Sequence, residues 1–545
     1  MGETPGKRGF YGAAAVIAGA TFLSRILGLL REQVFAFLFG AGFYTDAFQI
    51  AFRIPNLLRD LFAEGAMSSA LVPIYTKSRM AHGEEHAWRL VRNVITSLGL
   101  VMGMVALMGV LWAKPLVALY APGFSEVPGK MYLAVDLTRI MWPFLPMVVL
   151  AAVWMGVLNA RERFGTPALS PTIFNVASIA AAFLICPFTE EWFGLHPIYG
   201  MAFGVLLGGL GQWLMQAPAL HAEGFRYSFR FQWRDPELVR MAVLMGAGTL
   251  GLAATQINIF VNSVMASGEG DGAVSWLNYA FRLMQFPIGV FGVAISTATL
   301  TRVSREVAMA DLAAVRKSVV ASLRMVMTLT IPSSVGLAVF GTPIISAIYE
   351  HGQFTARDTE MTALALACYA LGLSAYSAIK VLVPIFYSLG KSRVAVWSSG
   401  LSVVLNVAFC LLLVKSMGFH GLALATSIAA LGNCAVLLWL IERHVKEIDF
   451  RDLIRCLVGV LGASAVMAVV LLGMLRWVGL PPIGAAHHGA VWWGMTLTHR
   501  LGFLFIGLIL GVATFGGCAR VTGVNEVTRL FNLVMERLWK SRELR

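Results

Sequence analysis

Charge is scarce in this sequence. Asp, Glu, Lys and Arg make up 13% of its 545 residues, against 58% hydrophobic residues and a mean hydropathy of +0.74. That balance excludes an ordinary soluble globule and fits a polytopic helical membrane protein. Cysteine is also rare: Cys186, Cys368, Cys410, Cys434, Cys456 and Cys518 are scattered through apolar segments with no CxxC spacing. They suggest neither a disulfide framework nor a metal site. Of the ten histidines, only His487 and His488 stand together, adjacent rather than at ligand spacing, in a Gly/Ala/Pro-rich loop. No P-loop is present to hold a nucleotide, and the longest loops run to about twenty residues, too short for a soluble catalytic domain. The residues therefore ask for no cofactor, no metal and no enzymatic activity.

What is abundant is apolar sequence in long windows. Fourteen of them, from 10–39 and 45–77 through 453–475 and 499–519, are long enough to cross a bilayer. The first contains Arg25 and Arg31 where a cleavable signal would have an unbroken apolar core, so it is expected to stay as a span. The net charge of +13 could indicate nucleic acid, but the basic residues fall in alternate loops. Of 42 Lys and Arg, 28 lie in one set of loops and tails and six in the opposite set. The bias predicts a multi-pass protein with both termini in the cytoplasm and no nucleic-acid partner. Beyond the last span, Val527, Leu530, Phe531, Val534, Leu538 and Trp539 recur at helical spacing among basic residues, which predicts an amphipathic tail over 523–545, either at the membrane interface or packed on a loop.

An internal repeat sets the expected architecture. QIAFRI at Gln49–Ile54 matches NYAFRL at Asn278–Leu283, NVA at Asn175 recurs at Asn406, and Gly200, Leu210 and Gln212 fall on Gly421, Leu431 and Asn433. A duplicated six-span unit predicts an all-α fold of two parallel lobes about an axis along the membrane normal, with a cavity between them. The expected division is 1–230 for the first lobe, 231–447 for the second, 448–522 for two extra spans and 523–545 for the tail.

The polar residues inside the spans carry the functional argument. The stretch Thr45–Lys77 holds Asp46, Arg53, Arg59, Asp60 and Glu64, with Pro55 expected to bend it. An ionisable side chain at bilayer depth costs at least about 2.5 kcal/mol, so such a span faces a protein interior or a water-filled cavity. At about 1.5 Å of rise per residue, Arg25 and Arg59 are expected near mid-depth, and Arg31, Arg53 and Arg282 in the outer half. Arg282 and Lys380 have no acidic residue in their own spans, and the acids near the others sit mainly at other levels, so the cavity is expected to be net positive; the alternative is that Glu32, Asp46, Asp60 and Glu64 pair with the four arginines of the first two spans and leave that lobe neutral. Arginine stays protonated and grips phosphate bidentately, so this set suits a diphosphate. Asp136 and Arg139, three residues apart, read as a structural pair. Arg324 has no assigned role.

Four segments then carry a resemblance: SRILGLLRE (Ser24–Glu32), GAGFYTDAF (Gly40–Phe48), RIPNLLRDLFAEGAMSSALVPIY (Arg53–Tyr75) and SWLNYAFRLMQFPIGVFGVAI (Ser275–Ile295). They resemble the signature segments of the MurJ (MviN) lipid II flippases, in the multidrug/oligosaccharidyl-lipid/polysaccharide (MOP) exporter superfamily. The resemblance implies movement of lipid II, the undecaprenyl-diphosphate-linked peptidoglycan precursor, across the bacterial inner membrane by alternating access. Partners would be that precursor, membrane lipids and other cell-wall synthesis proteins. It further implies essential arginines at Arg25, Arg31, Arg59 and Arg282, a family position at Asp46, and a lipid-tail groove in the last two spans. Two positions depart from the family pattern, Asp60 where a second basic residue is usual and Gln285 where an acid is usual. With no mid-membrane Asp or Glu in spans 7 to 12, a sodium site does not carry over. Rival readings are a flippase for another polyprenyl-linked glycan, a drug/cation antiporter of the same fold, and a membrane glycosyltransferase.

Overall fold

The computed structural model describes residues 5–62, 66–480, 492, 495–524 and 526–528. Glu64, the His487–His488 pair and most of the expected tail over 523–545 lie outside them. The described residues form helices and connecting turns, with no β-strand among them. Among the described residues, helix makes up most of each of the fourteen apolar windows, as expected where every backbone N–H and C=O must be satisfied without water, and the 45–77 window is divided between Phe43–Phe62 and Ala66–His82. Among the described residues, ten helices are long and apolar enough to cross a membrane, or eleven if the bent pair Ala356–Ala370 and Leu373–Ser388 counts as one span.

The chain divides into two compact units, Met1–Ser275 with Gly352–Phe354, and Trp276–His351 with Thr355–Arg545. The first contains α1 (Pro5–Phe39), α2 (Phe43–Phe62), α3 (Ala66–His82), α4 (Glu84–Leu111), α5 (Ala113–Tyr120) and α6 (Lys130–Met141). It continues with α7 (Phe144–Ala160), α8 (Gly165–Leu184), α9 (Cys186–Phe193), α10 (Ile198–Leu214), α11 (Ala217–Ala222) and α12 (Pro236–Ala266). The repeat places α12 in the second copy, yet it packs inside this first unit against α2, α3, α4 and α5. Pro55 sits within α2, which stays helical to Phe62.

The second unit takes up most of α13 (Ala273–Pro287), followed by α14 (Val293–Ala308), α15 (Leu312–Val339), α16 (Gly341–Tyr349) and α17 (Ala356–Ala370). Then come α18 (Leu373–Ser388), α19 (Ser392–Met417), α20 (Phe419–Val445), α21 (Phe450–Trp477) and α22 (Leu497–Val521). After Pro287 the helix widens into one π-turn, Ile288–Gly292, the local adjustment a missing N–H allows. The last two spans, α21 and α22, pack on each other and α21 packs on α15, where Val460, Ala463 and Met467 share a core with Ile331 and Phe340. Phe505, Leu508 and Val512 on α22 form an exposed apolar stripe suited to lipid.

The duplication is visible in how equivalent helices meet. In the first unit α8 packs on α10, and in the second α19 packs on α20. A Cβ on Gly200 would come within 2.8 Å of the Cys186 backbone, and one on its repeat partner Gly421 within 2.5 Å of the Leu413 carbonyl oxygen. Polar links recur as well: the Ser170 hydroxyl donates to the Gln212 carbonyl at 3.2 Å, and the Ser398 hydroxyl to Asn433 Oδ1 at 2.6 Å. Gly200→Val and Gly421→Val should each lower stability by about 1–3 kcal/mol, because the obstructing atoms belong to the backbone. Thermal unfolding of the purified protein measures this, and a variant as stable as wild type refutes the equivalence of the two seams.

Candidate functional site

In the first unit, α1 and α2 place the charged side chains. Asn175 Nδ2 on α8 donates to the Ser24 carbonyl at 3.0 Å, and Gly28 leaves room for the Asn175 amide. This contact seats the middle of α1 between Arg25 and Arg31. Arg25 is exposed and has no side-chain hydrogen bond or ion pair among the described residues. The Arg31 guanidinium lies 5.3 Å from the centre of the Phe174 ring, which clusters with Phe52 and Phe144. A guanidinium over an aromatic face gains cation–π stabilisation where water is thin.

Two arginines are neutralised locally, against expectation. Arg31 Nη2 donates to Glu32 Oε1 at 2.6 Å, with side-chain exposures of 17% and 12%. Arg59 donates through Nη2 and Nε to Asp60 Oδ1 at 2.8 and 3.2 Å. The expected surplus of positive charge is therefore corrected at these two positions. In a half-buried site the guanidinium takes the nearest carboxylate, even one residue away, rather than stand alone in low dielectric. Asp60 Oδ2 in turn receives Asn56 Nδ2 and, from α12, Gln256 Nε2, each at 3.4 Å. Residue 60, where the family pattern usually has a base, thus gives Arg59 its partner and couples it to α12. Arg53 is half-buried on the same helix.

Asp46 takes a different role from the one expected. It is fully buried, and its carboxylate accepts from Lys130 Nζ at 2.8 Å, Gly272 N at 2.8 Å, and both the N–H and the hydroxyl of Ser275. Both carboxylate oxygens are thus taken by donors of the protein itself, and Asp46 ties the first turn of α2 to Lys130 and to residues 272–275. Lys130 completes the clasp by donating to Asp271 Oδ1 at 2.6 Å and sits 4.6 Å from the Phe124 ring centre. Beside it, Tyr44 stacks on His196 with ring centres 3.6 Å apart, and burial pushes the His196 imidazole below its usual range.

Arg282 and Lys380 belong to the second unit. Arg282 is exposed on α13, ahead of Pro287 and the π-turn, and Lys380 is exposed on α18, its carbonyl accepting from the Ser296 hydroxyl at 2.6 Å. Arg324, unassigned from sequence, is a structural anchor: it ion-pairs with Asp452 at the start of α21 and with Glu526 at 2.6 Å. At the other end of α22, Arg500 Nη1 donates to the Ser346 hydroxyl at 2.9 Å, which also receives Trp492 Nε1 at 3.0 Å. Asp136 and Arg139 form the expected exposed pair at 3.3 Å.

A family profile described as "Lipid II flippase MurJ" matches residues 35–479. The chain belongs to the MurJ family. It is 34% identical over 516 residues to the probable lipid II flippase MurJ of Vibrio cholerae, covering 91% of this chain and 95% of that protein. It is also 34% identical over 470 residues to the lipid II flippase MurJ of Burkholderia cenocepacia, covering 85% and 89%. Among solved structures it resembles lipid II flippase MurJ in an inward closed conformation, with a TM-score of 0.75 and 26% identity over 93% of this chain and 98% of the other. An inward-facing multidrug-resistance MATE transporter of the MOP superfamily shares the fold, with a TM-score of 0.62 and 15% identity over 80% and 99%.

Within this MurJ-family chain the Asp46–Lys130 clasp makes a direct prediction. Lys130→Met leaves a carboxylate buried with only neutral donors and should cost about 3–5 kcal/mol, whereas Asp46→Asn combined with Lys130→Met should cost less than the two changes summed. Unfolding midpoints of the three variants test it; simple additivity would rule out the clasp.

Proposed function

We propose that this chain is a lipid II flippase. It moves the undecaprenyl-diphosphate-linked precursor from the cytoplasmic to the periplasmic leaflet of the bacterial inner membrane by alternating access, with both chain termini in the cytoplasm. The observation that carries this reading is the series Arg25, Arg31, Arg53 and Arg59 on the first two helices of a MurJ-family chain, beside the Phe52–Phe144–Phe174 cluster. In the second unit, Arg282 and Lys380 are the candidate headgroup contacts. The last two spans, packed as a pair with an apolar exposed stripe, would guide the prenyl tail.

The ion pairs of Arg31 and Arg59 suggest how the headgroup is bound and released. A diphosphate offers bidentate acceptors with more charge than one carboxylate, so it displaces Glu32 and Asp60 as the partner of each guanidinium. On release the carboxylates return, and neither guanidinium is left uncompensated in low dielectric. No bond is made or broken in this cycle, so the protein acts as a transporter rather than an enzyme. The inside-negative membrane potential favours outward movement of an anion, by about 2.3 kcal/mol per charge per 100 mV.

Arg31→Ala, Arg59→Ala and Arg282→Ala should each abolish translocation of lipid II in proteoliposomes while membrane abundance stays normal. Retained transport in all three refutes the arginine site. Rescue of cells depleted of their own lipid II flippase separates this reading from transport of another polyprenyl-linked glycan. Glu32→Gln and Asp60→Asn should act in the opposite sense on binding: the headgroup binds more tightly and turnover slows, because no carboxylate competes for release. Unchanged affinity in both would reject partner exchange.

A further inference from the structure

The sequence contains a second histidine pair, His82 and His86, at the spacing H-x3-H, with Gly83 between the end of α3 and the start of α4. The structure brings both rings to one place. Their centres are 4.7 Å apart, and His86 Nε2 lies 3.3 Å from Glu237 Oε2 at the start of α12. One ligand atom from each of His82, His86 and Glu237 falls within 4.8 Å of the other two.

We propose that these three side chains bind a divalent transition-metal ion of the Zn2+ class, joining the ends of α3, α4 and α12. Two imidazoles and one carboxylate are a ligand set that Zn2+ accepts, with Zn–N and Zn–O bonds of about 2.0–2.2 Å. Such bonds place ligand atoms about 3.3–3.5 Å apart in a tetrahedron, which the His86–Glu237 separation already meets. His82 is exposed on the last turn of α3, so a side-chain rotation brings its nitrogen in. The surroundings do not oppose a cation. The Ser78 hydroxyl donates to the same Glu237 oxygen at 3.2 Å, and Arg79, on the last turn of α3, is engaged by Glu84 at 3.0 Å. Three protein ligands leave a fourth position for water, which marks a reversible site. Because α12 also carries Gln256, which holds Asp60, the ion would brace the helix that supports the Arg59 ion pair.

The site stands apart from the transport reading, and its test needs no substrate. The full chain, purified in detergent with any polyhistidine tag removed, is titrated with Zn2+ against a chromophoric chelator. One ion per chain is expected, with Kd raised by at least about tenfold in His82→Ala, in His86→Ala and in Glu237→Gln. Added Zn2+ should raise the Tm of the wild type but not that of His82→Ala/His86→Ala, and the metal-free variants should unfold near the wild-type temperature. Co2+ in place of Zn2+ should give a visible absorption band that the double variant loses. Absence of stoichiometric binding by the wild type, or equal binding and an equal Tm rise in the double variant, overturns the proposal.

Discussion

A guanidinium buried within a membrane span needs a partner, and much of this structure follows from meeting that condition. Arg31 takes Glu32, Arg59 takes Asp60, and Arg324 takes Asp452 and Glu526. The partners differ in kind. Those of Arg324 come from distant elements and fix α15 to the region of α21 and α22, so breaking them would loosen the fold. Those of Arg31 and Arg59 are the next residues in the chain on the same helix, and Asp60 is held in turn by Gln256 of α12.

The second organising feature is duplication read through helix seams. Gly200 and Gly421 allow backbone contact at equivalent places in the two units, and Ser170 and Ser398 repeat a polar link further along the same helices. The departure from strict repetition is α12, which stands in the second sequence copy and packs with the first unit. Its Gln256 reaches the carboxylate that pairs with Arg59, and its first turn presents Glu237 to two histidines. That helix links the two ends of the first unit's polar chemistry.

Much of the fold was legible because a membrane imposes simple rules. Apolar windows had to become helices, and charge in α1 and α2 had to mean something other than lipid contact. The Asp136–Arg139 pair could be read from spacing along one helix. Asp46 could not: a family position and a polar residue in a span look the same whether the side chain meets substrate or is sealed. Only the arrival of Lys130, Gly272 and Ser275 from elsewhere in the chain shows that it is a clasp. The His82–His86 pair was obscured in the same way, since its third member is 151 residues beyond His86.

The order of residues by itself determined that this is a helical membrane protein built on a duplicated unit, with arginines in its first two spans and a family membership carried by local motifs. These are properties of periodicity, composition and short segments, and each can be read without knowing which residues meet. Tertiary structure decided which charges are paired, which acid is structural, and which copy of the repeat α12 joins. Those outcomes depend on distances of a few ångströms between residues far apart in the chain, where the energy of a charge is set by its nearest neighbours.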